Sequence, residues 1–561
     1  MSLPAVDSQP TLFGSIASVA RDLFAEDDRY RLFARKIWPV LAGTRTELEK
    51  CYCSDNGRPG IEPVVLLGIL IFQFLERLPD RQALEMVKYH LGWKLALNLE
   101  LEEKAFHPTV LVYFRQRLLA HGQSMVAFGA IVEALQQEGL VPKKTRQRRD
   151  STHVVGVVAR LSALECARET LRLALEELSE KLAQSERPAE WSLWWERYVE
   201  NNLDYKSSEA VLDNKQTQAG HDIHSLLEWL EALPVEVREG RQVALLRQVF
   251  SETYVLNEAK EYEPVKAKVS GAVQNPHEPE AQYSVKGVSK AKKQWVGYKV
   301  QVAESIGPRE EEEKEEKERA PRKNFLTSIV TQSAIESDDA GLPATLAKQK
   351  EMGLAAPREL YADGAYISAA ALALAEKEGR ELLGPARPSS HKENVFGAEE
   401  FDVDIAARRA LCPAKKENTQ CSRLEEKHSG KVSYRFEWSR HCHECELREK
   451  CVGVGQKHRS LVVGAHHNVL QARRREQRSE AFLERMKTRN AIEGTHSELV
   501  RAHGLRQARY RGKAKVDLQN QLIGTACNIK RWLRWMAWEI KQNLPPDLST
   551  PDGGLKPAFC A

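Results

Sequence analysis

The sequence predicts a two-part molecule, an all-α N-terminal domain followed by an α/β domain that carries insertions. Three observations predict it. Apolar residues recur at helical spacing through the first 140 positions. Past residue 146, short β-branched runs alternate with helical stretches. Five of the ten cysteines crowd between residues 412 and 451, which in a reducing compartment favours metal binding over disulfides. With 42% hydrophobic and 29% charged residues over 561 positions, the composition argues for several folded domains and against wholesale disorder.

Taken in order, "IASVARDLFAEDDRYRLFARKIWPVL" reads as helix, and "DNGRPG" breaks it. Three helices are predicted next, in "IEPVVLLGILIFQFLER", "DRQALEMVKYHLGWKLAL" and "VLVYFRQRLLAHG". The apolar run 63–75 is too short to span a bilayer and reads as a buried helix. His107-Pro108-Thr109 is a helix-start signal. Short helices ending in one that bears Arg115 and Arg117 suit a helix-turn-helix-like DNA-binding module, and a plain helical bundle fits the same pattern. No basic segment leads into an apolar run at the N-terminus. A cytoplasmic protein with no membrane partner is therefore expected.

In "VPKKTRQRRDSTHVVGVV", five basic residues in seven precede Asp150 and a β-branched run follows. This reads as a first strand with Asp150 at its beginning or within it. Residues 161–270 read as a largely helical insertion. Strand character returns in "QWVGYKVQVAES" and "FLTSIVTQSAIES", and the charge run "PREEEEKEEKERAPRKN" between them reads as a solvated hairpin extension or loop. "LPATLAKQKEMG" is a helix, "RELYADGAYIS" a strand ending in an Asp363-Gly364 turn, and "RELLGPAR" a further strand. One long basic helix is expected over about 473–502, then a helix in "QNQLIGTACNIKRWLRWMAWEIKQ" and a loose tail. The predicted domains are 1–140, 141–540 and a tail at 541–561, with a cysteine-rich insertion at about 405–455.

The net charge of +4 decides little, but residues 471–535 hold 16 Lys and Arg against 6 Asp and Glu. Such concentration is the footprint of a nucleic-acid binder, although solvated basic helices also produce it. Two constellations could carry chemistry. "HCHEC" has the C-x-x-C spacing that lets two thiolates share a tetrahedral zinc ion. Cys412, Cys421, Cys442, Cys445 and Cys451 offer five thiols for four positions, with His441 or His443 as substitutes. Asp150, Asp363 and Glu493 are carboxylates on two strands and a helix, the hard oxygen donors that a two-metal phosphodiester site requires. Arg489, Glu493 and His496 fall at i, i+4 and i+7, on one helical face.

The segments "RRDSTHV", "VGYKVQVA", "SIVTQSAIESDDAG", "LYADGAYIS" and "RNAIEGTHSELVRAHGLRQARYRGKAKVDLQNQLIGTACNIKRWLRW" together resemble the DDE transposases of bacterial insertion sequences. Residues 61–118 are similar to that group's N-terminal domain, and the cysteine block resembles the zinc knot found in one branch. The resemblance covers nearly the whole chain except the tail, the acidic run and much of 161–270.

It implies a ribonuclease H-like α/β core with helical and zinc-ribbon-like insertions. On that core Asp150, Asp363 and Glu493 would bind two Mg²⁺ or Mn²⁺, and Arg489 is the basic residue four before the glutamate. It implies an enzyme that binds terminal inverted repeats, cuts them and joins them to target DNA. It further implies a structural Zn²⁺, a homodimer on DNA, and a prokaryotic cytoplasmic protein that associates with the nucleoid when DNA-bound. End recognition falls to helices between residues 61 and 122. Phosphate contacts fall to Arg115, Arg117, Arg489, Arg501, Arg506, Arg509, Arg511, Lys513 and Lys515. Met486 stands where the family has an aromatic residue, and Val500 where it has a basic one, with Arg501 one place later. A DNA-binding protein that has lost the chemistry, or a nuclease that cuts without joining, are the alternative readings.

Overall fold

The computed structural model describes Ile16 and residues 23–53, 60–143, 145–202, 207–258, 261–265, 269–286, 292–307, 320–388, 395–426 and 430–543. Most of the acidic run and all but the first residues of the expected tail lie outside the described residues.

The central strand is β1 (Arg146–Val155), and its two neighbours are of opposite kind. The insertion that follows it ends in a hairpin of β2 (Tyr254–Leu256) and β3 (Tyr262–Pro264). Then come β4 (Gln282–Lys286), β5 (Lys293–Ser305), β6 (Leu326–Ser333), β7 (Glu359–Tyr361) and β8 (Glu381–Leu383). The sheet runs β4-β5-β1-β7-β8, with β6 also paired to β5. β1 lies antiparallel to β5 and parallel to β7, and β7 is parallel to β8. β6 pairs with residues 298–304 of β5 and β4 with 293–297. Where β1 meets β5, Gly297 has φ +153°, and a Cβ there would lie 2.2 Å from the Val154 carbonyl oxygen. Only glycine fits that approach.

Asp150 falls within the first strand, so the preceding Arg148 and Arg149 are part of it, and both are buried. Alternation sends them to opposite faces. Arg148 ion-pairs with Glu304 of β5 and donates to the Thr488 carbonyl at 3.1 Å. Arg149 donates to Gln301 Oε1 at 3.0 Å and lies over the Tyr366 ring, 4.5 Å from its centroid.

The expected helices at 63–75, 80–89 and 109–120 are present, and a further one spans Val126–Gln137. Their apolar faces do not form a separate core. Leu66, Leu70, Phe114, Phe128 and Ile131 pack in one cluster with Val300, Val302 and Ile329 of the sheet and with Leu522, Ile523 and Trp532 of the closing helix, Lys513–Asn543. That helix also finishes the open edge of β6. Asn528 accepts from Leu326 N–H at 2.8 Å and donates to its carbonyl at 2.9 Å; Gln521 donates to the Ile329 carbonyl and Asp517 accepts from Thr331 N–H. An edge strand's unpaired groups are thereby met by helix side chains rather than by water.

The insertion is a helical unit, Ala163–Lys181, Glu209–Leu230 and Arg241–Thr253, with its own core around Leu171, Leu175, Ile223 and Leu246. The single basic helix expected over 473–502 is three helices: His467–Glu476, Glu480–Asn490 and Ile492–His503. Ser479 caps the second by accepting from Phe482 N–H, and a cap of this kind starts a new helix whatever the periodicity across it.

Two arginines predicted to touch DNA also link N-terminal and C-terminal elements. Arg115 makes a bidentate pair with Asp80 at 3.0 and 2.6 Å and stacks on Tyr510. Arg509 donates to the Leu78 carbonyl at 3.0 Å and stacks on Phe74. Burial pushes the Asp80 carboxyl up, but hydrogen bonds from Arg115 and Gln73 outweigh it and hold the carboxyl below its usual range. A depressed carboxylate contributes stability above the ordinary carboxylate pKa that is lost as pH falls through the folded value. Arg115→Ala is therefore expected to cost about 2–3 kcal/mol at neutral pH and to flatten the acid limb of the stability profile, read by urea midpoints across pH 3–7.

Candidate active site and metal centres

Asp150 lies within β1 opposite Val302 and is 8% exposed. Its Oδ1 accepts from Ser151 N–H at 2.7 Å, and its Oδ2 meets Arg489 Nη2 at 3.1 Å. Burial raises its pKa, while Ser151 N–H, Arg489 and Lys286 draw it down without cancelling the rise. Asp363 stands two residues past β7, where the Asp-Gly turn predicted from sequence begins, and accepts from Ala365 N–H at 2.9 Å. Its pKa is raised by burial first and by the charge of Asp150 second. The fold thus brings two acids 213 positions apart in sequence into each other's field, as the parallel pairing of β1 with β7 requires.

Arg489 favours the ionised form of both acids. It lies at the end of the helix before the glutamate helix, so Arg489 and Glu493 occupy successive helices joined at Ala491. Glu493 is exposed in the first turn of its helix. Among the described residues, no hydrogen bond or ion pair engages it, and the three acids do not lie within 4.8 Å of one another as a group. His496, three residues on, is half-buried and its pKa falls to about 4, chiefly through burial. Met486 packs with Phe482, Tyr361 and Leu383, filling the place of an aromatic side chain. Val500 packs on the main core and Arg501 is exposed.

Sequence reasoning missed Asp338, whose charge raises the pKa of both Asp150 and Asp363. It accepts from Lys299 Nζ at 3.1 Å and Gln301 Nε2 at 3.3 Å. Its setting, "ESDDAG", reads as an ordinary turn, so no local signal marks it. Glu304 was also missed. Fully enclosed in β5, it pairs with Arg148, with Arg531 at 2.9 Å and with the Thr495 hydroxyl at 2.7 Å.

The cysteine-rich insertion is a small β unit of its own. It comprises β9 (Asp402–Asp404), β10 (Arg409–Leu411), β11 (Gln420–Glu425), β12 (Val432–Glu437) and β13 (Ser460–Gly464), packed around Phe436 and Trp438. Cys412, Cys442, Cys445 and Cys451 line one cavity with His441. Cys421 sits on β11 opposite Phe436 and does not line it. Lys416 N–H points at Cys412 Sγ and Arg459 N–H at Cys442 Sγ, each at 3.4 Å. Lys415 takes φ +58°, closing a tight turn in which its N–H donates to the Cys412 carbonyl at 2.7 Å.

The remaining predicted cations divide. Arg506 is turned inward, donating to the His153 carbonyl at 2.7 Å and to Thr152. Arg117 lies over the Tyr52 ring. Arg501, Arg511 and Lys515 are exposed, and Lys513 is half-buried at the start of the closing helix, whose Gly512 and Lys513 N–H groups are met by Glu278 and Glu280.

Comparison with protein families places a match to the transposase DDE domain over residues 411–533, and one to a transposase domain (DUF772) over residues 18–117. The first spans the four-cysteine cavity and Glu493; the second spans the helices that Arg115 and Arg509 tie to the C-terminal part. Both matches are to transposase families, and together they support an insertion-sequence DDE transposase. No curated protein and no solved structure matches it. Asp150 and Asp363 precede the matched DDE segment, so the match does not reach them. No helix among the described residues is long and apolar enough to cross a membrane.

Asp150 and Asp363 carry raised pKa values, so their ionisation opposes folding as pH rises through the folded values. Asp363→Asn removes one of the two repelling charges. The metal-free transposase is expected to gain about 0.5–2 kcal/mol at pH 7 from this change, and the gain should shrink below pH 4, as measured by thermal unfolding in chelator.

Proposed function

We propose that this transposase binds the terminal inverted repeats of its own element, cuts phosphodiester bonds there and transfers the ends to target DNA. The observation that carries the reading is the pair of carboxylates Asp150, buried, and Asp363, half-buried, which lie in each other's field with Arg489 as counter-charge. Carboxylate oxygens in this state suit a hard divalent cation. Mg²⁺ or Mn²⁺, two per site as the resemblance implies, would be held by Asp150, Asp363 and Glu493. It would supply Lewis acidity to the attacking and leaving oxygens of an in-line displacement. The strand order β6-β5-β1-β7-β8, antiparallel on one side of β1 and parallel on the other, supports a ribonuclease H-like core.

The chain's own residues do the rest. Arg489, relieved of Asp150 by a cation, is placed to hold a scissile-strand phosphate. Arg501, Arg511, Lys513 and Lys515 grip the backbone, with Arg117 and the exposed faces of the N-terminal helices reading the ends. Arg115, Arg506 and Arg509 also keep those elements in register. Joining two ends requires two sites, so the DNA complex is a homodimer.

Cys412, Cys442, Cys445 and Cys451, which line one cavity, would draw together around a structural Zn²⁺, with Cys421 the spare thiol; such a site would hold the insertion together and perform no catalysis.

On end-bearing DNA with Mg²⁺, the wild type is expected to nick and join. Glu493→Gln should bind the same DNA within about twofold yet nick at least about 100-fold more slowly. Equal nicking by both proteins would sink the assignment, and nicking without strand transfer would select the nuclease reading. Cys442→Ser is expected to release about one zinc per chain and to speed hydrogen exchange first within residues 402–464. Retention of that zinc would overturn the four-thiol assignment.

A further inference from the structure

Below Glu493, the last turns of its helix meet the closing helix at a cluster that the chemistry above does not use. Ligand atoms of Glu498, His503 and Cys527 lie within 4.8 Å of one another. His503 and Cys527 are completely enclosed, and the Glu498 side chain is 19% exposed. His503 Nδ1 is 2.9 Å from the Phe74 carbonyl oxygen, in the last turn of the helix Pro63–Leu75. A carbonyl only accepts, so Nδ1 carries the proton and Nε2 presents a bare lone pair.

That lone pair has no hydrogen-bond partner among the described residues, and neither has Glu498 Oε1. Arg531 Nε takes the other Glu498 oxygen at 2.9 Å, and Arg534 approaches Oε1 only to 3.7 Å. Two acceptors and a sulfur therefore face one another. A thiol proton can serve one acceptor and leaves the other buried unsatisfied, which costs about 1–3 kcal/mol. A cation serves all three.

We infer that Glu498, His503 and Cys527 form a site for a zinc-class transition-metal ion, separate from the cysteine insertion, that clamps the N-terminal helices to the two C-terminal ones. Carboxylate, imidazole and thiolate are all ligands of that class. A ring N–H held by a backbone carbonyl is the arrangement that orients a ligating histidine. Without the ion, burial drives the Cys527 thiol up to about 12 and the His503 imidazole down to about 4, so neither side chain is charged at neutral pH. Binding releases one proton from the Cys527 sulfur to solvent as the metal–sulfur bond forms, and Arg531, one turn along the same helix, favours the thiolate. The ion reaches Phe74 through His503, so it links three helices remote in sequence.

The test uses the full chain carrying Cys442→Ser, which removes the other thiol centre while leaving this cluster intact. Purified in zinc and dialysed, it should retain about one zinc per chain. Replacing that zinc with Co²⁺ should give a near-ultraviolet thiolate charge-transfer band. Cys442→Ser/Cys527→Ser and Cys442→Ser/Glu498→Gln should each lose both the ion and the band. The glutamine variant covers the case in which the serine variant fails to fold, because its amide can donate to Nε2 and satisfy the site without metal. No zinc and no band in the Cys442→Ser chain, or an unchanged ion count in Glu498→Gln, would overturn the inference. Neither outcome bears on Asp150, Asp363 or Glu493.

Discussion

One enclosed carboxylate sets the geometry of the catalytic half. Glu304 in β5 is fully buried, a state that costs several kcal/mol unless charge and hydrogen bonds answer it. The answers come from three elements: Arg148 of β1, Arg531 of the closing helix and Thr495 of the glutamate helix. Arg148 stands two residues before Asp150 and Thr495 two residues after Glu493, so the charge that orders the interior also sets the spacing between strand and helix. Removing Arg148 or Arg531 leaves the buried carboxylate with one counter-charge in place of two.

The same accounting explains why the last hundred residues are so rich in arginine. A basic segment suggests nucleic acid, and exposed Arg501, Arg511 and Lys515 fit that use. Arg506, Arg509 and Arg531 spend their charge on carbonyls and carboxylates of the protein itself. Guanidinium suits both tasks because its fork meets planar oxygens in either setting. Charge density alone therefore overstates the phosphate-gripping surface.

Much of the architecture was legible from pattern. The β-branched runs of β5 and β6, the apolar helix at 63–75 and the tryptophan-rich closing helix all follow from periodicity. The Asp363-Gly364 turn was legible from turn chemistry. The strand character of "RQRRD" was only half legible, because a buried Arg148 in a central strand makes sense only once Glu304, more than 150 positions away, is known to face it. The breaks in the basic helical region were hidden because charged and apolar spacing continues through Ser479 and Ala491. The order of the five cysteines could not reveal the spare one. That depends on the pairing of β11 with β12, which directs Cys421 away from the cavity shared by the other four.

The closing helix both completes the N-terminal apolar cluster and hydrogen-bonds the free edge of β6. Its first residue is Lys513, nearly the whole length of the chain after the helices it covers. During translation those first helices leave the ribosome with their oily faces bare and must wait for the final segment before they can settle. A prematurely terminated product would keep that surface and an unfinished strand edge exposed, marking it for chaperones or proteolysis.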